Sequence, residues 1–169
     1  MFGRHKFVPP EKYGMVEDDV YRFAIPTDLN FPFLDRLGLR AVLVLDSEPI
    51  QDSFRFFLED RGIKLIQTEQ DKEDPFKNPW NPIRENVIID ALSALLEKKN
   101  YPIAVMCSLG RHRTGTVIGC LRKLQRWNLT SIFEEYRRFA GKPNLLHEQF
   151  IELFDTDLVD IPDNGPSWL

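Results

Sequence analysis

Five residues able to do chemistry crowd into seven positions of this chain: Cys107, Ser108, Gly110, Arg111 and Arg113, inside VMCSLGRHRTGTVIG at 105–119. The apolar run IAVMC, ending on Cys107, reads as a strand. The run TVIGCLRKLQRW reads as a helix, with Val117, Cys120, Leu121 and Leu124 along one apolar stripe. SLGRHR is then a tight connection from a strand end into a helix N-terminus. Amides at such a start lack intrahelical partners, and the helix dipole puts partial positive charge on them. A loop of this kind cradles a small anion. Gly110 permits the backbone turn, and Arg113 is placed to fork two oxygens of a phosphate. The same field favours the thiolate form of Cys107, a nucleophile for phosphate held above it. Thr114 follows the arginine, where its hydroxyl can hydrogen-bond the sulfur and stabilise it again as a leaving group. Cys120, inside the helix stripe, reads instead as a small core residue.

Such a loop needs a scaffold on both sides. Apolar and β-branched runs predict strands at 20–25, 40–46, 63–69 and 103–107. Helical patterns fall at 31–39, with Asn30 available as N-cap, at 53–62 ending on Gly62, and at 82–99 opening with Pro82. Three more follow at 113–126, 129–140 and 146–154. Strands alternating with helices predict an α/β fold, its sheet carrying parallel pairings under a cover of helices. RAVLVL is apolar throughout, as a central strand buried on both faces would be. DKEDPFKNPWNP at 71–82 is expected to form a long surface loop. One domain over 1–155 is expected, followed by an irregular tail at 156–169.

Composition bounds the function. The chain has 169 residues, 43% apolar and 28% charged, which suits one globular domain. No window approaches the length of apolar sequence that spans a bilayer, so no membrane span is expected. The opening MFGRHKFVPPEKYG has no apolar segment of the secretory kind. Two cysteines in apolar surroundings read as free thiols, which predicts a cytoplasmic protein. Paired zinc-ligand spacings are absent, so neither metal nor cofactor is expected. A net charge of −4 speaks against a nucleic-acid partner, but a local pocket field can still capture a small anion. Basic residues beyond Arg113 (Arg122, Lys123, Arg126, Arg137, Arg138) read as solvated helix faces. His5 and His147 read as surface residues.

CSLGRHRTG resembles the phosphate loop of the cysteine-dependent protein tyrosine phosphatase superfamily. Through GCLRKLQRWNLTSIFEEYRRFA and FVPPEKYGMVEDDVYRFAIP the similarity narrows to the plant and fungal atypical dual-specificity phosphatases, whose best-known fungal members act on inositol pyrophosphates. It runs from residue 7 to residue 155. The fold it implies is a central, mostly parallel sheet of four or five strands flanked by helices. By position, the resemblance implies Cys107 as nucleophile, Arg113 as phosphate binder and Thr114 as hydroxyl helper. Ser108, Leu109, Gly110, Arg111 and His112 become the loop whose amides ring the phosphate. The implied activity is a phosphatase working through a phosphocysteine, without a cofactor, on a small polyanionic phosphate. Inositol pyrophosphates are the first substrate class and phosphotyrosine the second.

The resemblance also implies a general acid from the 71–82 loop, Asp74 aligning best, with Asp71 and Glu73 beside it. A phosphate leaving group, with a pKa of ~6, departs with little proton assistance; an alkoxide needs far more. A poorly defined acid therefore suits phosphoanhydride cleavage. Arg137 and Arg138 point about 100° apart on a helix, so one of them, with Lys142, is positioned to grip outer phosphates; Arg138 is taken here. Three positions depart from the family pattern. Met106 replaces a histidine that helps hold the loop, Leu109 replaces a polar or basic residue, and Arg111 replaces a lysine of equal charge. These departures leave open a weak or inactive pseudophosphatase, binding phosphate within a complex of related phosphatase-like subunits. A redox-sensing thiol is a third reading.

Overall fold

The computed structural model describes residues 6–68 and 83–169. Its strands are β1 (Gly14–Glu17), β2 (Val20–Ala24), β3 (Ala41–Val44), β4 (Lys64–Gln67) and β5 (Ile103–Cys107). They form one sheet in the order β1-β2-β5-β3-β4, antiparallel only between β1 and β2. All four predicted strands are present. β1 carries too weak a pattern to be read from sequence, with Val16 its only buried residue.

Among the described residues, six α-helices flank the sheet: α1 (Phe31–Leu37), α2 (Asp52–Asp60), α3 (Glu85–Leu96), α4 (His112–Leu124), α5 (Leu129–Ala140) and α6 (Leu145–Leu153). Each matches a predicted helix to within three residues at either end. Asn30 precedes α1 but caps none of its amides. Its carboxamide oxygen accepts from the Thr27 amide at 2.8 Å, and its nitrogen donates to the Val8 carbonyl.

Strand alternation divides the interior into two cores. Ala41 and Leu43 of β3 and Ile103, Val105 and Cys107 of β5 face α3, α4, α5 and α6. Val42 and Val44 of β3 and Ala104 and Met106 of β5 face α1 and α2, packing with Phe23, Leu34, Phe54 and Phe57. Both strands are fully buried, which accounts for their continuous apolar runs. Met106 and Cys107 are neighbours in sequence yet belong to opposite cores.

β5 lies between β2 and β3, the place where the helical connections part to opposite faces. In open α/β sheets, ligands bind outside the carboxyl ends of strands at such a switch point. The loop after Cys107 leaves from that point.

Two expectations need correction. Arg122 is not on a solvated face: it is 3% exposed. It binds Glu135 through two bonds of 3.0 Å and Glu17 at 2.6 Å, and its guanidinium lies 4.2 Å from the Trp127 ring centroid. His147 is buried rather than superficial. Residues 156–169 are irregular apart from one 3-10 turn at Thr156–Leu158, as expected, and pack on the body. Val159 joins the core, Trp168 and Leu169 pack on it, and Gln125 donates to the Trp168 carbonyl. Among the described residues, no helix is long and apolar enough to cross a membrane, and no group of His, Cys, Asp and Glu stands together as a metal site.

Candidate active site

β5 ends on Cys107, which is 4% exposed, and α4 begins five residues later at His112. Two amides hold the turn between them by donating to the Cys107 carbonyl, Ile25 N at 3.0 Å and Gly110 N at 3.1 Å. Gly110 has φ +63, a region L side chains rarely adopt, and a β-carbon there would fall 2.6 Å from the Ala24 nitrogen. The loop thus rests directly on the backbone at the end of β2. The amide of Gly110 serves the turn itself, leaving its neighbours as candidate donors to an anion.

The Thr114 hydroxyl donates to Cys107 Sγ at 3.1 Å, and Thr114 is fully buried. This is the hydroxyl–sulfur pair expected from the sequence. Arg113 sits across the mouth, its Nη1 3.3 Å from Asp46 Oδ1 and 3.5 Å from the Leu45 carbonyl. Ser108 Oγ donates to the other oxygen of the same carboxylate at 2.5 Å. Asp46, one residue past the apolar run of β3, therefore ties the first residue of the loop to the arginine at its far end. Sequence reasoning missed it. Its signal was position: an acid at the carboxyl end of a central strand, next to the strand that bears the cysteine.

His112 is buried and its Nδ1 lies 3.2 Å from the Tyr136 hydroxyl, which in turn lies 3.0 Å from His147 Nδ1. Burial, then the neighbouring Arg111, holds the His112 imidazole below its ordinary pKa, and burial pushes the Tyr136 phenol up to about 12. Both effects favour neutral groups beneath the loop. The approach of Tyr136 requires Gly115, where a β-carbon would meet its ring at 2.9 Å. His112 thus anchors the start of α4 through this buried contact.

The remaining predicted residues are exposed or half-buried. Leu109 is 53% exposed, an apolar tip on the loop. Arg111 is half-buried, with its Nη1 3.8 Å from where a β-carbon would stand on Gly141, so it lies against the turn that carries Lys142. Lys142 and Arg138 are exposed. Arg137 is committed elsewhere, to Glu148 through bonds of 2.5 and 3.2 Å. Cys120 is fully buried and burial pushes its thiol up, as suits a core residue. Asp71, Glu73 and Asp74 lie outside the described residues.

A phosphate taken up by Arg113 would have to displace the Asp46 carboxylate from its Nη1. A partly exposed pair of this kind contributes up to about 1 kcal/mol, or roughly fivefold in affinity. Asp46→Asn is therefore expected to tighten competitive inhibition by inorganic phosphate about fivefold. Weaker inhibition in that variant would mean that Asp46 orients Arg113 instead of opposing its ligand.

Residues 7–169 match the tyrosine phosphatase family. A Dictyostelium discoideum relative named "Probable tyrosine-protein phosphatase DG1060" is 58% identical over 163 residues, 96% of each chain. Among solved structures, the core catalytic domain of the PP-IP phosphatase SIW14 from S. cerevisiae, in complex with citrate, superposes with a TM-score of 0.82. It is 42% identical, and the match covers 90% of both chains. TpbA of P. aeruginosa, in complex with pTyr, shares the fold at a TM-score of 0.67 and 17% identity, over 93% of this chain and 94% of its own.

Proposed function

We propose that this chain, which belongs to the tyrosine phosphatase family, is a cysteine-dependent phosphatase acting through a phosphocysteine, with inositol pyrophosphates as its substrate class. The observation that carries the reading is a nearly buried sulfur, hydrogen-bonded by Thr114, at the floor of a glycine-turned loop that Arg113 overhangs.

In the first step Cys107 Sγ attacks phosphorus, forming an S–P bond as the P–O bond to the leaving group breaks. The departing oxygen takes the electron pair. In the second step a water oxygen attacks phosphorus, its protons pass to phosphate and solvent, and the S–P electrons return to sulfur. The Thr114 hydroxyl, 3.1 Å away, stabilises the sulfur as it leaves. Arg113 and the loop amides balance the charge of the equatorial oxygens in both steps. When the leaving group is itself a phosphate, with a pKa of ~6, it requires little from a general acid.

The substrate class is favoured by Arg111, which stands against the turn bearing Lys142, with Arg138 on the preceding helix. It is favoured too by the likeness to a protein named for PP-IP hydrolysis. Purified protein is expected to hydrolyse an inositol pyrophosphate with kcat/KM at least tenfold above that for a phosphotyrosine peptide, a margin of ~1.4 kcal/mol in transition-state binding. The opposite order would make phosphotyrosine the substrate, the reading favoured by the half-exposed Leu109 at the mouth. Phosphate binding without turnover of either would favour the pseudophosphatase suggested by Met106, working with related phosphatase-like subunits.

A further inference from the structure

Arg22 is the largest side chain among the described residues to be almost wholly buried, 1% exposed, on a strand where an arginine would ordinarily reach solvent. It belongs to the face of β2 that looks toward α4 and α5. Its Nη2 donates to the Gly110 carbonyl at 3.2 Å, and the guanidinium lies 3.8 Å from the centroid of the Phe139 ring. A β-carbon on Gly115 would stand 3.9 Å from the same nitrogen. Nε and Nη1 find no hydrogen-bond partner among the described residues.

The carboxylate that bears on it, Glu135, hydrogen-bonds Arg122 through both oxygens. A buried cation left with two unpartnered nitrogens is unfavourable unless another negative charge compensates it. The charged and titratable groups that bear on it are Glu135 and Arg138 from α5, Arg122 from α4 and Cys107 from β5. Burial, partly offset by Glu135 and then Cys107, lowers Arg22 to about 10, so it stays charged at neutral pH.

We infer that Arg22 is a positioning residue for the reaction: its buried guanidinium is the unscreened countercharge of the Cys107 thiolate and of the phosphocysteine formed on it, while its bond to Gly110 fixes the loop. This rests on the reading of Cys107 as the nucleophile. Arg111 and Arg113 lie at the solvent edge, where water and salt weaken their fields; Arg22 acts from below through protein alone.

The test is the pH dependence of Cys107 alkylation by iodoacetamide, read by peptide mass spectrometry in the wild type and two variants. Arg22→Gln keeps a donor for the Gly110 carbonyl and deletes the charge; Arg22→Lys keeps the charge and changes the shape. The glutamine variant is expected to raise the midpoint by about one pH unit, whereas the lysine variant holds it near the wild-type value. Equal midpoints in wild type and a folded Arg22→Gln would overturn the inference, as would an equal rise in both variants, which would mark the role as packing. Should the glutamine variant not fold, the lysine variant decides: a held midpoint supports the charge, and a rise of a full unit refutes it. A wild-type midpoint at the free-cysteine value of ~8.5 would instead sink the assignment of Cys107 as nucleophile.

Discussion

Cys107→Ser is expected to lose about 10⁴-fold or more in kcat while still binding phosphate. A serine hydroxyl is almost wholly protonated at neutral pH. Thr114 points its hydroxyl at the sulfur as a donor, a role that stabilises an anion and does not create one. The substitution leaves the cradle intact. The isosteric oxygen still accepts from Thr114, and the turn is held by the Cys107 carbonyl, which does not change. Initial rates on an inositol pyrophosphate and on a small aryl phosphate measure the first effect; calorimetric titration with inorganic phosphate measures the second. Turnover within tenfold of wild type would remove the phosphocysteine from the mechanism.

Gly110→Ala is expected to lower kcat/KM by about 10²-fold or more and to destabilise the fold by roughly 2–3 kcal/mol. Two separate penalties meet at this position. Placing an L residue at φ +63 costs on the order of 1 kcal/mol. The new methyl also meets backbone, 2.6 Å from the Ala24 nitrogen, and that nitrogen cannot yield because it donates to the Glu11 carbonyl at 2.8 Å. The loop has to move, taking with it the carbonyl that receives Arg22. Gly38→Ala is the matched control. It has φ +60 but nothing within 4 Å of the added carbon, so it should lose about 1 kcal/mol of stability and leave kcat/KM unchanged. Thermal melts and steady-state rates on the pair separate the conformational penalty from the collision. Equal losses of activity in both variants would show that the contact with β2 plays no part.

The site's chemistry was legible because it is local. Cysteine, glycine, arginine and threonine lie in one stretch whose flanks declare a strand and a helix, so sulfur, turn and hydroxyl could be placed from spacing alone. The elements were legible for the same reason, down to the glycine stop at 62, which has positive φ. What escaped was brought in from a distance. Asp46 meets Ser108 and Arg113 only because β3 pairs with β5. Arg22 reaches Gly110 only because β2 lies on the other side of β5. Tyr136 and His147 meet His112 through helix packing that no periodicity encodes. Charged residues were the weakest reading. Arg22 and Arg122 look like surface positions in a linear pattern, but stacked on Phe139 and Trp127 they belong to the interior. Met106 teaches a different lesson. Adjacent to the sulfur in sequence, it turns into the core beneath α1 and α2, so its route to the loop runs through the backbone of β5.

The position of β5 has a bearing on how the molecule is made. Before the segment 103–107 arrives, the chain holds a hairpin of β1 with β2 and a separate pair of β3 with β4, two half-sheets with no ladder between them. Ile103 then pairs with Val20 on one side and Ala41 on the other, closing the gap across nearly half the sequence. As the protein emerges from the ribosome, the strand that delivers the sulfur is also the keystone joining the halves. Until it locks in, β2 and β3 each offer an open edge to foreign strands. Nascent chains halted short of it are expected to aggregate, and catalytic competence and a completed sheet should appear in the same step.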